Sequence, residues 1–296
     1  VLSKLRHFAR RNAGDLASLR SRVDVRPALK AIGAPDAPVA PVSGGTLGVG
    51  FIASVNGRQQ FLKCSVSADG QHNLEKEIRI LSHLYGEMLA IRRIEASEDD
   101  APPRVWLLMD ALCPLAAPLA PRDTLTLVQA YRSRLASLPV DCLEGGDTLG
   151  TLVEDAEAAL AELASAGQIG ASMHDDLRSR LTFLAREWSN FPSGIAHGDL
   201  GPRNIMASNG CPVVIDWEDA FLGIDGYDYL YWLTFFENRR YYNRDVLGLT
   251  PLGIDAEVAL LAMILILKGG LALRANTHVG NQLTVEQRID EVLALA

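Results

Sequence analysis

No cysteine pair in this 296-residue sequence has the spacing of a metal or redox motif: Cys64, Cys113, Cys142 and Cys211 are far apart and none belongs to a CxxC. Neither a zinc site nor a thioredoxin-like redox motif is indicated, and a reducing, cytoplasmic setting is the simplest expectation. Long apolar runs are also missing. The longest, Val258 to Leu267, is about half of the ~20 residues a membrane span requires, so no span is expected and the run reads as a buried helix. No apolar stretch follows the basic residues near the start, so a secretory signal is not expected there. Basic residues are in deficit, 28 Lys and Arg against 36 Asp and Glu, a formal net charge of -8. That balance argues against broad phosphate-backbone binding, and no nucleic-acid partner is expected. The exception is local: residues 1–30 hold eight Lys or Arg against two Asp. This stretch reads as a solvated helix packed on a smaller lobe rather than an arm for nucleic acid or anionic lipid.

What is present is apolar content of 48%, enough for a sizeable core, in a length that suits two packed lobes. Residues 1–34 read as helical, and the three prolines between Ala34 and Pro41 break that pattern before any strand begins. A glycine-rich segment, Ser43-Gly44-Gly45-Thr46-Leu47-Gly48-Val49-Gly50, precedes two strand-like runs, Phe51 to Val55 and Arg58 to Cys64, joined by Asn56-Gly57. Asn-Gly between such runs predicts a hairpin, because a type I′ turn needs positive φ at both central residues. Lys63 then falls near the end of the second strand. Leu74, Ile78, Leu81 and Leu84 recur at helical spacing from Asn73 to Leu84. Val105 to Met109 reads as a buried strand, and the Pro- and Ala-rich stretch Ala111 to Pro121 as a hinge. Helices are then predicted near 123–138, 151–166, 173–188, 255–268 and 284–295, the last with a Thr284/Gln287 capping box. Short strands interrupt them around Ile205 to Met206 and Val213 to Ile215.

The chemistry concentrates in His197-Gly198-Asp199-Leu200-Gly201-Pro202-Arg203-Asn204 and, after a short turn, Val213-Val214-Ile215-Asp216-Trp217-Glu218. An Asp followed five residues later by Asn can be no more than a loop of turn-forming residues, and Asp216 no more than a cap. Order and spacing together point further. The set resembles the catalytic and metal-binding loops of the aminoglycoside phosphotransferase and choline kinase group, relatives of protein kinases that carry His-Gly-Asp where protein kinases carry His-Arg-Asp. The resemblance runs in order over roughly residues 40–235.

The resemblance implies an α+β, bilobal protein-kinase-like fold: a β-rich N-lobe over 36–110 after a basic extension over 1–35, a hinge over 111–121, and a mainly helical C-lobe over 122–296. It implies ATP and Mg²⁺, with Asp199 orienting an acceptor hydroxyl and accepting its proton, His197 bracing the loop, and Asn204 and Asp216 as metal ligands. Glu218 reads either as a second metal contact or as a surface carboxylate. Lys63 would neutralise the α- and β-phosphates, with Glu77, rather than Glu75, holding its ammonium. Gly44, Gly45, Thr46 and Gly48 would let backbone amides approach phosphate, although their spacing departs from the protein-kinase order. Asp110 and Leu112 would face the adenine through the backbone.

The partner implied is a small-molecule hydroxyl acceptor, with Asp225, Glu237 and Arg203 as candidates for its site. The aromatic set Tyr227, Tyr229, Tyr231, Trp232, Phe235 and Phe236 reads mostly as core, and Asp228 as a structural partner of the catalytic loop. Polycationic aminoglycosides call for an acidic acceptor wall, yet Arg239, Arg240 and Arg244 follow the aromatic stretch. A neutral or anionic sugar-like metabolite therefore stands beside an aminoglycoside as the acceptor. A protein kinase is disfavoured by Gly201, where many carry lysine, and by the lack of an Ala-Pro-Glu segment after Asp216. A non-catalytic nucleotide-binding module remains the alternative of another class.

Overall fold

The computed structural model describes residues 21, 23–42, 48–66, 68–97, 103–143, 148–278 and 282–295. Most of the helix expected over 1–34, and the glycine-rich residues Gly44, Gly45 and Thr46, lie outside them. In chain order the elements are α1 (Arg26–Ala31), β1 (Val39–Val42), β2 (Gly48–Val55), β3 (Arg58–Ser65), α2 (Ala68–Tyr85), β4 (Arg92–Ala96), β5 (Arg104–Asp110) and β6 (Cys113–Pro114). Then follow α3 (Pro121–Leu135), α4 (Leu149–Ser165), α5 (Ala171–Glu187), β7 (Ser193–Ala196), β8 (Ile205–Ser208) and β9 (Cys211–Val214). The last are β10 (Phe221–Ile224), α6 (Tyr227–Leu233), α7 (Ile254–Arg274) and α8 (Val285–Leu293).

Two compact units divide these elements. One holds the described residues of Arg10–Ala116 together with Arg203–Glu218; the other holds Ala117–Pro202 and Asp219–Ala296. The first is a sheet unit, with five antiparallel strands in the order β1-β2-β3-β5-β4. Asn56 and Gly57 turn the β2–β3 hairpin at φ 50° and 78°, as the Asn-Gly pair predicts. Period-two alternation along β3 and β5 sends Leu62, Cys64, Trp106 and Leu108 into a core with Ala28 and Leu29 of α1. The odd-numbered Lys63 therefore points to the other face, where α2 packs. A three-stranded sheet, β6-β8-β9, completes the unit.

One expectation fails here. A strand does begin before the prolines end, since Val39–Val42 pairs with β2 and places Pro41 opposite Phe51. As an edge strand it has one side that needs no N–H donor, which is where proline is tolerated. The other strands missing from the sequence reading are β4, β6, which lies within the expected hinge, β7 and β10. β4 carries three charged residues in five and buries only Ile94, because it is the opposite edge; β7 and β10 form a two-stranded sheet with each other, and Leu222 of β10 also bridges Thr148.

The helical unit is organised around α7. Its residues from Ala256 to Leu267 are all buried, and they pack against α4, α5, α6 and α8. By length and hydropathy α7 could cross a membrane, yet most of its apolar window is covered by its own unit. A helix apolar all round is what a core position demands. The one carboxylate buried in it, Glu257, accepts from the Gly248 and Thr250 amides at 2.5 and 2.9 Å and from the Thr250 hydroxyl at 2.6 Å. At α8 the capping box forms, Thr284 and Gln287 exchanging bonds of 2.9 and 3.1 Å.

Truncating Leu260, fully buried in α7, should therefore cost about 2–5 kcal/mol in a urea unfolding series. Phe236→Ala, at 45% exposed, should stay within about 0.5 kcal/mol of the parent.

Candidate active site

In the sheet unit one carboxylate joins three distant pieces of chain. Glu77, on the sheet-facing side of α2, accepts from Lys63 Nζ at 2.7 Å through Oε2 and from the Asp216 backbone N–H at 3.1 Å through Oε1. Lys63 Nζ in turn donates to Asp216 Oδ1 at 2.7 Å and lies 3.1 Å from Glu218. Glu75, two residues earlier in α2, faces away and pairs with Arg93 instead. Helical geometry decides between them, since residues two apart point to different faces.

Asp216 is held from several directions. The Val214 N–H donates to the Tyr85 hydroxyl at the end of α2 (3.1 Å), and Trp217 Nε1 donates back to the Val214 carbonyl (2.9 Å). The Ile215 N–H donates to the Asn204 carbonyl at 2.9 Å, so the β8–β9 hairpin brings the Asn204 backbone beside the turn that carries Asp216. Asp216 itself has φ 67°. A non-glycine residue there is strained, and the surrounding bonds fix it in place; such outliers gather at functional sites.

The charges do not balance. Glu77, Asp216 and Glu218 offer oxygens that lie within 4.8 Å of one another, and the single ammonium of Lys63 is shared by all three. Burial works against the Lys63 charge, but Asp216, Glu218 and Glu77 outweigh it and hold its pKa well above the usual lysine range. Burial raises Glu77 to about 7, with Lys63 pulling it back and Glu218 and Asp216 pushing it further up. Glu218 is buried, so the surface-carboxylate reading of it is excluded. A surplus of hard oxygen donors has the chemistry of a Mg²⁺ site.

The helical unit contributes a second constellation. Asp228 on α6 accepts from the Tyr131 hydroxyl at 2.5 Å and from the backbone N–H groups of His197 at 2.8 Å and Gly198 at 3.1 Å. The buried His197 ring takes the Asp199 N–H at Nδ1, 3.2 Å away. Gly198 has φ 82°, and a Cβ there would lie 2.2 Å from the Asp219 carbonyl oxygen, so only glycine fits. Asp199 Oδ1 receives the Tyr231 hydroxyl at 2.6 Å. Burial, and then the Asp199 carboxylate, keep that phenol well above its usual pKa, so Tyr231 remains a donor. Lys268 from α7 places its Nζ 3.8 Å from the ring centroids of both Tyr231 and Phe235. The Phe235 ring packs over Gly201, where a Cβ would come within 2.7 Å of it.

Tyr231 and Lys268 are the residues that sequence reasoning missed. Tyr231 looked like one more member of a core aromatic stripe, and its 2.6 Å bond to Asp199 has no counterpart in local spacing. Of the remaining candidates, Gly48 pairs with Ser65 beside the Lys63 stem. Asp110 ends β5 opposite Gln60, and the Ala111 N–H beside it donates to the Gln59 carbonyl; Leu112 is half-buried. Asp225 pairs with Arg132 at 3.2 Å, which engages its carboxylate, while Arg203 and Glu237 are exposed.

These constellations are those of a phosphotransferase, and comparison with known proteins agrees. The model of the phosphotransferase enzyme family (APH) matches residues 39–241, more than half of the chain. The chain belongs to that family and is a small-molecule kinase. Among solved structures it is similar to a thermostable mutant of aminoglycoside phosphotransferase APH(4)-Ia in a ternary complex with AMP-PNP and hygromycin B, at 14% identity and TM-score 0.55 over 92% of this chain and 98% of that one. It is also similar to choline kinase LicA from Streptococcus pneumoniae (14%, 0.52, 90% and 95%). A third similar structure is a choline/ethanolamine kinase family protein from Mesorhizobium loti (14%, 0.55, 94% and 94%). At such identities the likeness is one of fold: α+β and protein-kinase-like, with a β-rich N-terminal and a helical C-terminal part. No curated protein sequence matches.

Asp228→Asn replaces an all-acceptor group by one that turns an amide against N–H donors. It should destabilise the chain by about 1–3 kcal/mol, the cost of an unsatisfied buried donor, in equilibrium unfolding.

Proposed function

We propose that this phosphotransferase moves the γ-phosphate of ATP, in the presence of Mg²⁺, to a hydroxyl of a small molecule, a sugar-like metabolite or an aminoglycoside-type acceptor. The observation that carries the reading is Glu77 bonded at once to Lys63 and to the backbone of Asp216. It supports a phosphate-binding ammonium and a metal-binding carboxylate held in fixed register, the arrangement in-line phosphoryl transfer calls for.

Each residue then has a defined task. Lys63 binds and orients the α- and β-phosphates. Asn204 and Asp216, with Glu218 in reserve, would hold Mg²⁺, which neutralises charge building on the phosphate oxygens. Asp199 accepts the proton of the acceptor hydroxyl as the new oxygen–phosphorus bond forms and the bond to the β-phosphate oxygen breaks, releasing ADP. Tyr231 steadies Asp199 by its bond to Oδ1, and His197 and Asp228 fix the loop backbone. The exposed thiols of Cys113 and Cys211 fit a reducing compartment.

A broad panel of hydroxyl compounds, scored by ADP release with and without each one, tests the reading. Acceptor-dependent release that disappears with EDTA is expected; ATP binding without extra ADP from any acceptor would favour a non-catalytic module instead. Asp199→Ala should lower transfer by about 10²–10⁴-fold, the usual worth of a positioned base, while nucleotide affinity holds. An unchanged rate removes Asp199 from its role.

A further inference from the structure

The helical unit contains a cavity of about 80 Å³ between α7 and α8, several times the roughly 10–15 Å³ that a water needs. Lys268, His278 and Arg288 line it together with Gln168 and Thr284, and no Asp or Glu does. Lys268 and Arg288 converge on one buried residue. Lys268 Nζ donates to Thr234 Oγ1 at 2.7 Å, and Arg288 Nη2 donates to the Thr234 carbonyl at 2.5 Å.

Arg288 has no salt bridge among the described residues, and the Thr234 carbonyl is the one acceptor its guanidinium meets there. The carboxylate that acts on it, Glu291, is already engaged by both Arg239 Nε, at 2.7 Å, and Arg239 Nη2. Burial, with Arg239 adding repulsion against the pull of Tyr242 and Glu291, holds the Arg288 pKa below the usual arginine value. A half-buried guanidinium with donors to spare, opening on a cavity without carboxylates, lacks a counter-charge. Planar N–H groups in fixed array match the oxygens of phosphate, sulfate or carboxylate.

We infer that the cavity bounded by Arg288, Lys268 and His278 is a binding site for a small oxyanion. Lys268 also lies on the ring of Tyr231, which bonds Asp199. On the phosphotransfer reading proposed above, the oxyanion is therefore either an anionic group carried by the acceptor or a free inorganic anion.

Inorganic sulfate, titrated calorimetrically into the full chain at constant ionic strength with chloride as the exchanged salt, tests the site. One saturable site is expected, retained in Lys63→Met, which discounts binding at the phosphate-holding lysine. Arg288→Gln should weaken it by about tenfold or more, the scale of one charge-assisted bond. Arg288→Lys keeps the charge and should weaken it less, and it stands in if the glutamine variant does not fold, as judged by its thermal midpoint in chloride. Absence of saturable heat in the parent, or equal affinity in Arg288→Gln, overturns the inference.

Acceptor pairs that differ by one carboxylate or phosphate, scored by ADP release, separate the two sources. A preference for the anionic member that Arg288→Gln removes supports the acceptor as carrier. Equal rates, with sulfate still bound, support a free anion. Sulfate binding needs no turnover, so a chain that binds it but transfers nothing contradicts only the phosphotransfer reading. One that transfers without binding it contradicts only the site.

Discussion

The carboxylate of Glu77 is the constraint on which the sheet unit depends. It ties a strand residue 14 positions before it to a backbone amide 139 positions after it, and the Lys63 ammonium then reaches Asp216 across 153 positions. Neither contact would be worth much at the surface, where ion pairs contribute about 0–1 kcal/mol. Buried as Glu77 is, the same bonds become directional and costly to break, because removing one partner leaves a charge without water or counter-charge. The pair fixes α2 against β3 and sets the turn after β9 in its strained conformation.

The helical unit solves a parallel problem with a different carboxylate. Asp228 collects two backbone amides and a tyrosine hydroxyl, so the His197–Asp199 loop is shaped by a group that takes no direct part in the chemistry assigned to Asp199. Tyr231 comes from the same short helix. One turn of α6 thus holds the loop backbone through Asp228, and the side chain of Asp199 through the residue three positions on. The cations of this unit, Lys268 and Arg288, gather one step further out around Thr234. That is an unusual surrounding if the acceptor were a polycation, and it is why the charge of the acceptor is the informative variable.

Several features were legible without coordinates because their causes are local. Asn56-Gly57 specified its turn through the φ values it alone permits cheaply, and Lys63 followed from its place in that hairpin. Glu77 could be separated from Glu75 by its place four residues before the apolar Leu81, which the family resemblance implies. The loop around Asp199 was recognisable from order and spacing. β1 and β4 were not, because edge strands tolerate proline and charge that would disqualify a central strand. α7 showed in sequence as a helix over 255–268, short of its full extent to Arg274.

The sequence by itself determined the hairpin, the helical phases and the order of the main helices, and it named the polar residues proposed to handle phosphate and metal, since each depends on neighbours a few positions away. Tertiary structure alone decided that Glu218 is buried beside Lys63, that Tyr231 bonds Asp199, that Asp225 is engaged by Arg132, and that Lys268 and Arg288 meet at Thr234. Those contacts join residues from 32 to 155 positions apart in the numbering. Most of them are set by how helices and strands pack, and packing distance leaves no period in a chain of letters.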